Sequence, residues 1–86
     1  MAIREKSNML IVMSVLWKER PNAIEYSEVI KILEGTLRKR QVYCAVQALK
    51  ERKLINNFNE DGKHLLQLKN KYIDKTEDLL VEADLI

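Results

Sequence analysis

The longest helical pattern of the chain lies near its middle, in residues 36–55, TLRKRQVYCAVQALKERKLI. Apolar residues recur there at helical spacing over a length too great for a strand, which predicts one helix with a packed and an exposed face. The packed face is expected to consist of Val42, Ala45, Val46, Leu49 and the aliphatic stem of Arg52. The exposed face is expected to consist of Arg40, Gln41, Tyr43, Cys44 and Gln47.

A first helix is predicted near the start of the chain. It is expected to begin at a cap on Ser7 or Asn8 and to end at about Arg20, because Pro21 follows. Its apolar residues are Met9, Leu10, Val12, Met13, Leu16 and Trp17. They cover much of the circumference, so this helix must be buried on more than one side, by the rest of the domain or by a second chain.

A connector over residues 22–26, with Ile24 in a minimal strand, leads to a short second helix. This helix is predicted over Glu28–Leu33, with Ser27 as its start and Gly35 near its end. The long helix follows almost at once. Two helices joined by so short a turn form a helix-turn-helix, in which the second helix is the recognition helix.

The pattern then changes from helix to hairpin. Residues 56–59 and 63–68 flank Asp61-Gly62, a dipeptide typical of two-residue hairpin turns. The predicted partners are Glu60 with Lys63, Asn59 with His64, Phe58 with Leu65, Asn57 with Leu66, and Ile55 with Leu68.

This register divides the apolar residues of the hairpin between its two faces. Ile55, Leu66 and Leu68 are expected to face the core. Phe58 and Leu65 share the other face and would be exposed, unless a bulge changes the register or a partner covers them.

A last helix is predicted from Lys71 to about Ala83, with Asn70 as its cap. Its apolar stripe consists of Tyr72, Ile73, Thr76, Leu79, Leu80 and Ala83.

Charge is unevenly distributed along these elements. The 86 residues carry a net charge of only +2, but residues 36–55 contain six Lys or Arg against one Glu, and residues 70–86 contain two Lys against five Asp or Glu. One end of the domain is therefore basic and the other acidic. A chain of this length can build a single modest core, and oligomerisation would add stability.

The composition argues against several functional classes. Cys44 is the only cysteine, so neither a disulfide nor a structural zinc site is expected. No cofactor, membrane span or export signal is expected either, which favours a cytoplasmic protein, or one in the host cell if it is viral. No phosphate-binding loop or catalytic spacing occurs, and the acid pairs at 60–61 and 77–78 are typical of solvated surfaces, so we do not expect an enzyme.

The order of elements, and the segments SEVIKILEG, QVYCAVQALKERKLI and NEDGKHLLQL, resemble the winged helix-turn-helix superfamily over about residues 7–83. The closing helix resembles the dimerisation helix of its small regulators, including the MarR-like and PadR-like groups and those of archaeal viruses. Lys53 departs from the pattern, since the superfamily usually has Gly there. The resemblance implies an α+β, mostly helical fold with a three-helix core, a β-hairpin wing and a C-terminal helix. It implies one domain over 1–86, with a DNA-binding core at 7–69 and a dimerisation helix at 70–86.

Two hypotheses follow for the function. The first is a sequence-specific double-stranded DNA-binding protein, a homodimeric transcription regulator with helix 36–53 in the major groove and hairpin 55–68 as the wing. Its basis is the absence of Asp and Glu between Thr36 and Lys50, since cations at a helix start are unfavourable unless an anion compensates them. The alternative is a protein-interaction module whose contact surface contains Tyr43, Phe58 and Leu65.

Each residue type suggests a role at the DNA. Arg40 suits guanine, Gln41 or Gln47 suits adenine, and the remaining cations suit phosphates. The predicted DNA-binding residues are Arg38, Lys39, Arg40, Gln41, Tyr43, Cys44, Gln47, Lys63 and His64. The predicted dimer interface is Met9, Met13, Leu16, Tyr72, Ile73, Thr76, Leu79, Leu80 and Ala83. Two of the predicted DNA-binding residues also allow another interpretation. His64 can be a plain surface histidine, and Cys44 can be either a half-buried residue or an exposed, oxidisable thiol.

Overall fold

The computed structural model describes residues 2–85, and side-chain surroundings from residue 8 onwards. Its elements are α1 (Ala2–Glu19), β1 (Ile24–Glu25), α2 (Tyr26–Ile32), α3 (Lys39–Glu51), β2 (Ile55–Glu60), β3 (Lys63–Leu68), a 3₁₀ turn (Asn70–Tyr72) and α4 (Ile73–Glu82). The core lies where α1 packs against α3, α4 and β3. Within residues 2–85, no helix combines the length and apolar character needed to cross a bilayer.

Helix α1 begins earlier than the sequence suggested. The predicted caps at Ser7 and Asn8 are wrong, because the helical backbone already begins at Ala2. The residues before Ser7 include good helix formers, so they continue the helix instead of ending it. The predicted end near Arg20 is confirmed, since α1 ends at Glu19.

Helix α2 also begins earlier, at Tyr26, and Ser27 is not its cap. The N-cap position belongs to Glu25, and the Ser27 hydroxyl donates instead to Glu25 Oε2 at 3.2 Å. The minimal strand at Ile24 is confirmed. It pairs with β3, and the chain turns directly from that strand into α2.

Helix α3 is shorter than predicted at both ends. Residues 33–38 form a turn in which the backbone N–H of Leu37 donates to the Leu33 carbonyl at 2.9 Å, and Gly35 has a φ of 92°. At the other end Lys53 has a φ of 58°, a left-handed conformation that favours Gly and that ends the helix. The predicted helix 36–55 is therefore corrected to Lys39–Glu51, with Ile55 already in β2.

The hairpin has the predicted register at every pair, and the sheet order is β1-β3-β2, antiparallel throughout. Ile55, Leu66 and Leu68 are buried as expected. Phe58 remains 38% exposed, with no bulge in the register, while Leu65 is half-buried.

Helix α4 follows the 3₁₀ turn that Asn70 begins, which replaces the predicted cap. Three packed helices, a two-stranded wing joined to a short third strand, and a C-terminal helix make this an α+β winged helix-turn-helix fold.

Candidate nucleic-acid interface

The outer face of α3 is a continuous polar surface. Arg40, Gln41, Tyr43 and Cys44 are exposed, and Gln47 is half-buried. The packed face is confirmed as well, since Val42, Ala45, Val46 and Leu49 are buried. Of the two interpretations of Cys44, the exposed thiol is the one the structure supports.

The start of α3 carries positive charge that no acid of its own first turn balances. Arg38, Lys39 and Arg40 are exposed, and the first turn of the helix contains no acidic residue. Among residues 8–85, the ion pair between Lys63 and Glu25 is the only one within salt-bridge distance, so none of these three cations is paired. They add to the positive end of the helix dipole, and an anion bound here would be stabilised by both.

An open cleft of about 620 Å³ lies beside this basic start, between the end of α2 and the first turn of α3. Its lining residues are Ile30, Glu34, Gly35, Thr36, Leu37, Arg38, Lys39 and Gln41. Arg38 and Lys39 therefore border a concave surface, which they share with the carboxylate of Glu34.

Gln41 already has a partner within the chain. The backbone N–H of Arg38 donates to Gln41 Oε1 at 2.8 Å, which satisfies a donor at the helix start. Gln41 can therefore pair with adenine only after this bond is released, whereas Gln47 has no such bond among the described residues.

The wing residues predicted to contact DNA also make contacts within the chain. Lys63 Nζ lies 3.5 Å from Glu25 Oε1, although the Lys63 side chain is still 61% exposed. The His64 ring is stacked on Tyr26, with ring centroids 5.5 Å apart and planes inclined by 6°. The wing therefore presents a partly neutralised lysine and a histidine held in a fixed orientation.

Tyr26 is a residue of this region that the sequence analysis missed. It is half-buried, and its pKa is raised by burial and further by the neighbouring ionisable groups of Tyr43 and Cys44. Tyr26 thus joins the wing, through its stack on His64, to α2, which packs against α3. The register of β1 against β3 identifies this contact. Ile24 pairs with Leu66 and Glu25 with Leu65, so the next residue, Tyr26, comes opposite His64.

Part of the predicted dimer interface must be corrected. Five of its residues are nearly fully buried in the core of one chain: Met9, Met13, Leu16, Thr76 and Leu80. A side chain that fills the core is not free to cover a partner, so these residues stabilise the monomer. Tyr72, Ile73 and Leu79 are half-buried and Ala83 is exposed, so these four remain accessible.

Two of these accessible residues, Tyr72 and Leu79, line a groove of about 410 Å³ between α1, the end of α3 and α4. Its lining residues are Met9, Leu10, Met13, Arg52, Leu54, Tyr72, Lys75 and Leu79. Leu10 and Leu79 also line a smaller concavity with Glu82 and Ala83, so the apolar surface continues along α4.

Comparisons with known proteins support the fold alone. No protein-family model matches the chain, and no curated protein matches its sequence. A solved structure, the circadian clock associated protein Pex from Anabaena, is similar with a TM-score of 0.69 and 19% sequence identity. The similarity covers 87% of this chain and 72% of that one.

Proposed function

We propose that this protein binds double-stranded DNA in a sequence-specific manner and acts in the cytoplasm as a homodimeric transcription regulator of the winged helix-turn-helix superfamily. Helix α3 enters the major groove, and the β2–β3 hairpin is the wing. The observation that carries the proposal is the unpaired basic start of α3, at the edge of an exposed polar face.

The roles of the α3 residues follow from their positions. Arg38 and Lys39 lie at the first turn and bind phosphates, which fixes the docking of the helix. Arg40 and Gln47 lie on the exposed face and read base edges, with Arg suited to guanine and Gln to adenine. Tyr43 and Cys44 lie between Arg40 and Gln47 along the helix and contact the floor or wall of the major groove.

The wing adds contacts to the flanking backbone. Lys63 exchanges Glu25 for a phosphate when DNA binds, and His64 lies next to it. The hairpin turn carries Glu60 and Asp61, whose carboxylates oppose a close approach to phosphate. The wing is therefore the minor contributor to affinity.

We further propose that residues 7–69 are the DNA-binding core and that 70–86 form a dimerisation segment. The interface would use Leu10, Tyr72 and Leu79 of the groove, together with Ile73 and Ala83, which are accessible elsewhere on the C-terminal segment. A two-fold dimer would place its α3 helices about 34 Å apart and require a pseudo-palindromic site. The exposed acids of α4 keep that end away from phosphate.

A second candidate is a protein-interaction module, favoured by Tyr43 and Phe58, which are 53% and 38% exposed. Titration of the protein with mixed-sequence duplexes over a range of salt concentrations separates the two. A DNA-binding protein gives an affinity that falls linearly on a log–log plot against salt. Absence of any salt-dependent duplex binding would rule out the first proposal.

A further inference from the structure

Tyr26 occupies the junction of three parts of the interface. It is the first residue of α2 and directly follows β1, which pairs with β3 of the wing. Its ring stacks on His64 at 5.5 Å with nearly parallel planes. This contact joins residues that are 38 positions apart in the sequence, so it fixes the wing relative to the helix-turn-helix.

The wing strand is held from both of its faces at this point. Successive residues of a strand point to opposite sides, so Lys63 and His64 lie on different faces of β3. Glu25 pairs with Lys63 on one face, and Tyr26 stacks on His64 on the other. Of these two side-chain contacts the ion pair is exposed and contributes little, so the stacked rings are the stronger one.

The helix that Tyr26 begins packs against α3. Because α2 contacts α3 directly, the stack of Tyr26 on His64 links the wing to the helix that carries the exposed polar face. Tyr43 and Cys44 of that face also add to the rise in the pKa of Tyr26 that burial causes.

We propose that Tyr26 is a positioning residue that sets the separation and angle between α3 and the wing, and thereby determines which flanking phosphates the wing reaches. This proposal rests on the proposed DNA binding. Tyr26 itself contacts no base. Its role is to bring the α3 contacts and the wing contacts into register on one duplex.

The test uses two substitutions of the full chain. Tyr26→Leu removes the stacked ring, while Tyr26→Phe keeps the ring and removes only the hydroxyl. We expect Tyr26→Leu to lower duplex affinity about three- to tenfold, the effect of losing one aromatic pair. In hydroxyl-radical footprints protection should be lost at the flanks and kept at the centre, and Tyr26→Phe should keep both.

A measurement without DNA separates this proposal from the proposed function. In ¹⁵N relaxation of the free protein, backbone amides of residues 57–64 should become more mobile in Tyr26→Leu and stay as in the parent in Tyr26→Phe. If the wing becomes mobile in Tyr26→Leu but the parent binds no duplex, the proposed DNA binding is wrong, while the role of Tyr26 in holding the wing is supported.

Other outcomes would overturn the positioning role itself. The first is that the backbone mobility of the wing in Tyr26→Leu equals that of the parent. The second is that the wing of Tyr26→Leu becomes mobile but its footprint stays as in the parent. The third is that Tyr26→Leu loses central and flanking protection equally. If Tyr26→Leu does not fold, His64→Leu removes the opposite ring from the wing. An immobile wing in free His64→Leu would then overturn the proposal.

Discussion

The backbone N–H of Arg38 donates a 2.8 Å hydrogen bond to Oε1 of Gln41, which closes the first turn of α3. One of the two residues expected from the sequence to suit adenine is therefore also part of a helix cap. Capping needs an acceptor at position 41, whereas DNA binding needs the absence of negative charge there. These two requirements can be separated by substitution.

We predict that Gln41→Ala lowers the free energy of unfolding by about 0.5–1 kcal/mol, because the Arg38 N–H loses its partner. Gln41→Glu keeps an acceptor and places an acid at the positive helix end, so it should be at least as stable as the parent. The same variant should bind duplex DNA more weakly, because its carboxylate lies beside the phosphate contacts. Urea unfolding and duplex titration measure the two effects. Unchanged duplex affinity in Gln41→Glu would contradict the docking of α3 at its first turn.

The Glu25–Lys63 ion pair leads to a second prediction. Glu25→Gln releases Lys63 for a phosphate, so duplex affinity should rise, while the stability changes by less than about 1 kcal/mol because the pair is exposed. Glu28→Gln is the matched control, since it removes the same charge from an exposed position of α2. An equal gain in both variants would show that only net charge matters and that Lys63 does not contact DNA.

Tyr26 also gives the protein a specific response to alkaline pH. Its pKa in the folded state is raised above 10.0, first by burial and then by Tyr43 and Cys44. The folded state thus holds this proton more tightly than the unfolded state. The resulting contribution to stability is complete below pH 10 and is lost as pH rises through the folded-state pKa.

We therefore expect the parent to lose more stability between pH 9 and pH 11.5 than Tyr26→Phe, which has no hydroxyl to ionise. Urea unfolding of both proteins at the two pH values measures the difference. Parallel losses in the two proteins would contradict the placement of the Tyr26 hydroxyl.

The dimer is tested with two residues at the edge of the core, Leu10 and Leu79, which are only half-buried. Leu79→Asp combined with Leu10→Asp places charge in the groove, and it should convert a dimer to a folded monomer in sedimentation equilibrium at tens of micromolar. Val81→Asp is the matched control, because Val81 is 54% exposed on α4 and lies outside both concavities of this region. Leu80 is unsuitable, since it is fully buried and an aspartate there would unfold the chain. A monomeric parent would contradict the proposed interface.

The hairpin was the element best predicted from the sequence. The Asp61-Gly62 turn fixes which residues face each other, and the two-residue period then assigns every side chain to a face. Local information was sufficient there, because the turn and the strands it joins are adjacent in the sequence.

Helix ends and contacts between distant segments could not be predicted in the same way. Residues 36–38 are compatible with a helix, but Leu37 is buried in the turn before α3, and only the packed chain shows this. The apolar stripes of α1 and α4 indicated a buried face without indicating what buries it. Met13 and Leu80 were therefore assigned to a dimer partner, although one chain covers them. The Tyr26–His64 contact depends on the pairing of β1 with β3, which a two-residue strand barely reveals.

A salt titration of duplex binding shows whether the basic start of α3 binds DNA phosphates. The variant is Arg38→Ala with Lys39→Ala. The control is Lys18→Ala with Lys71→Ala, which removes the same charge from exposed positions of α1 and the 3₁₀ turn. We expect the slope of log affinity against log salt to fall by about two in the variant, one per lost phosphate contact, and to stay as in the parent in the control. A variant that binds duplex DNA like the parent at every salt concentration would contradict phosphate binding at the start of α3.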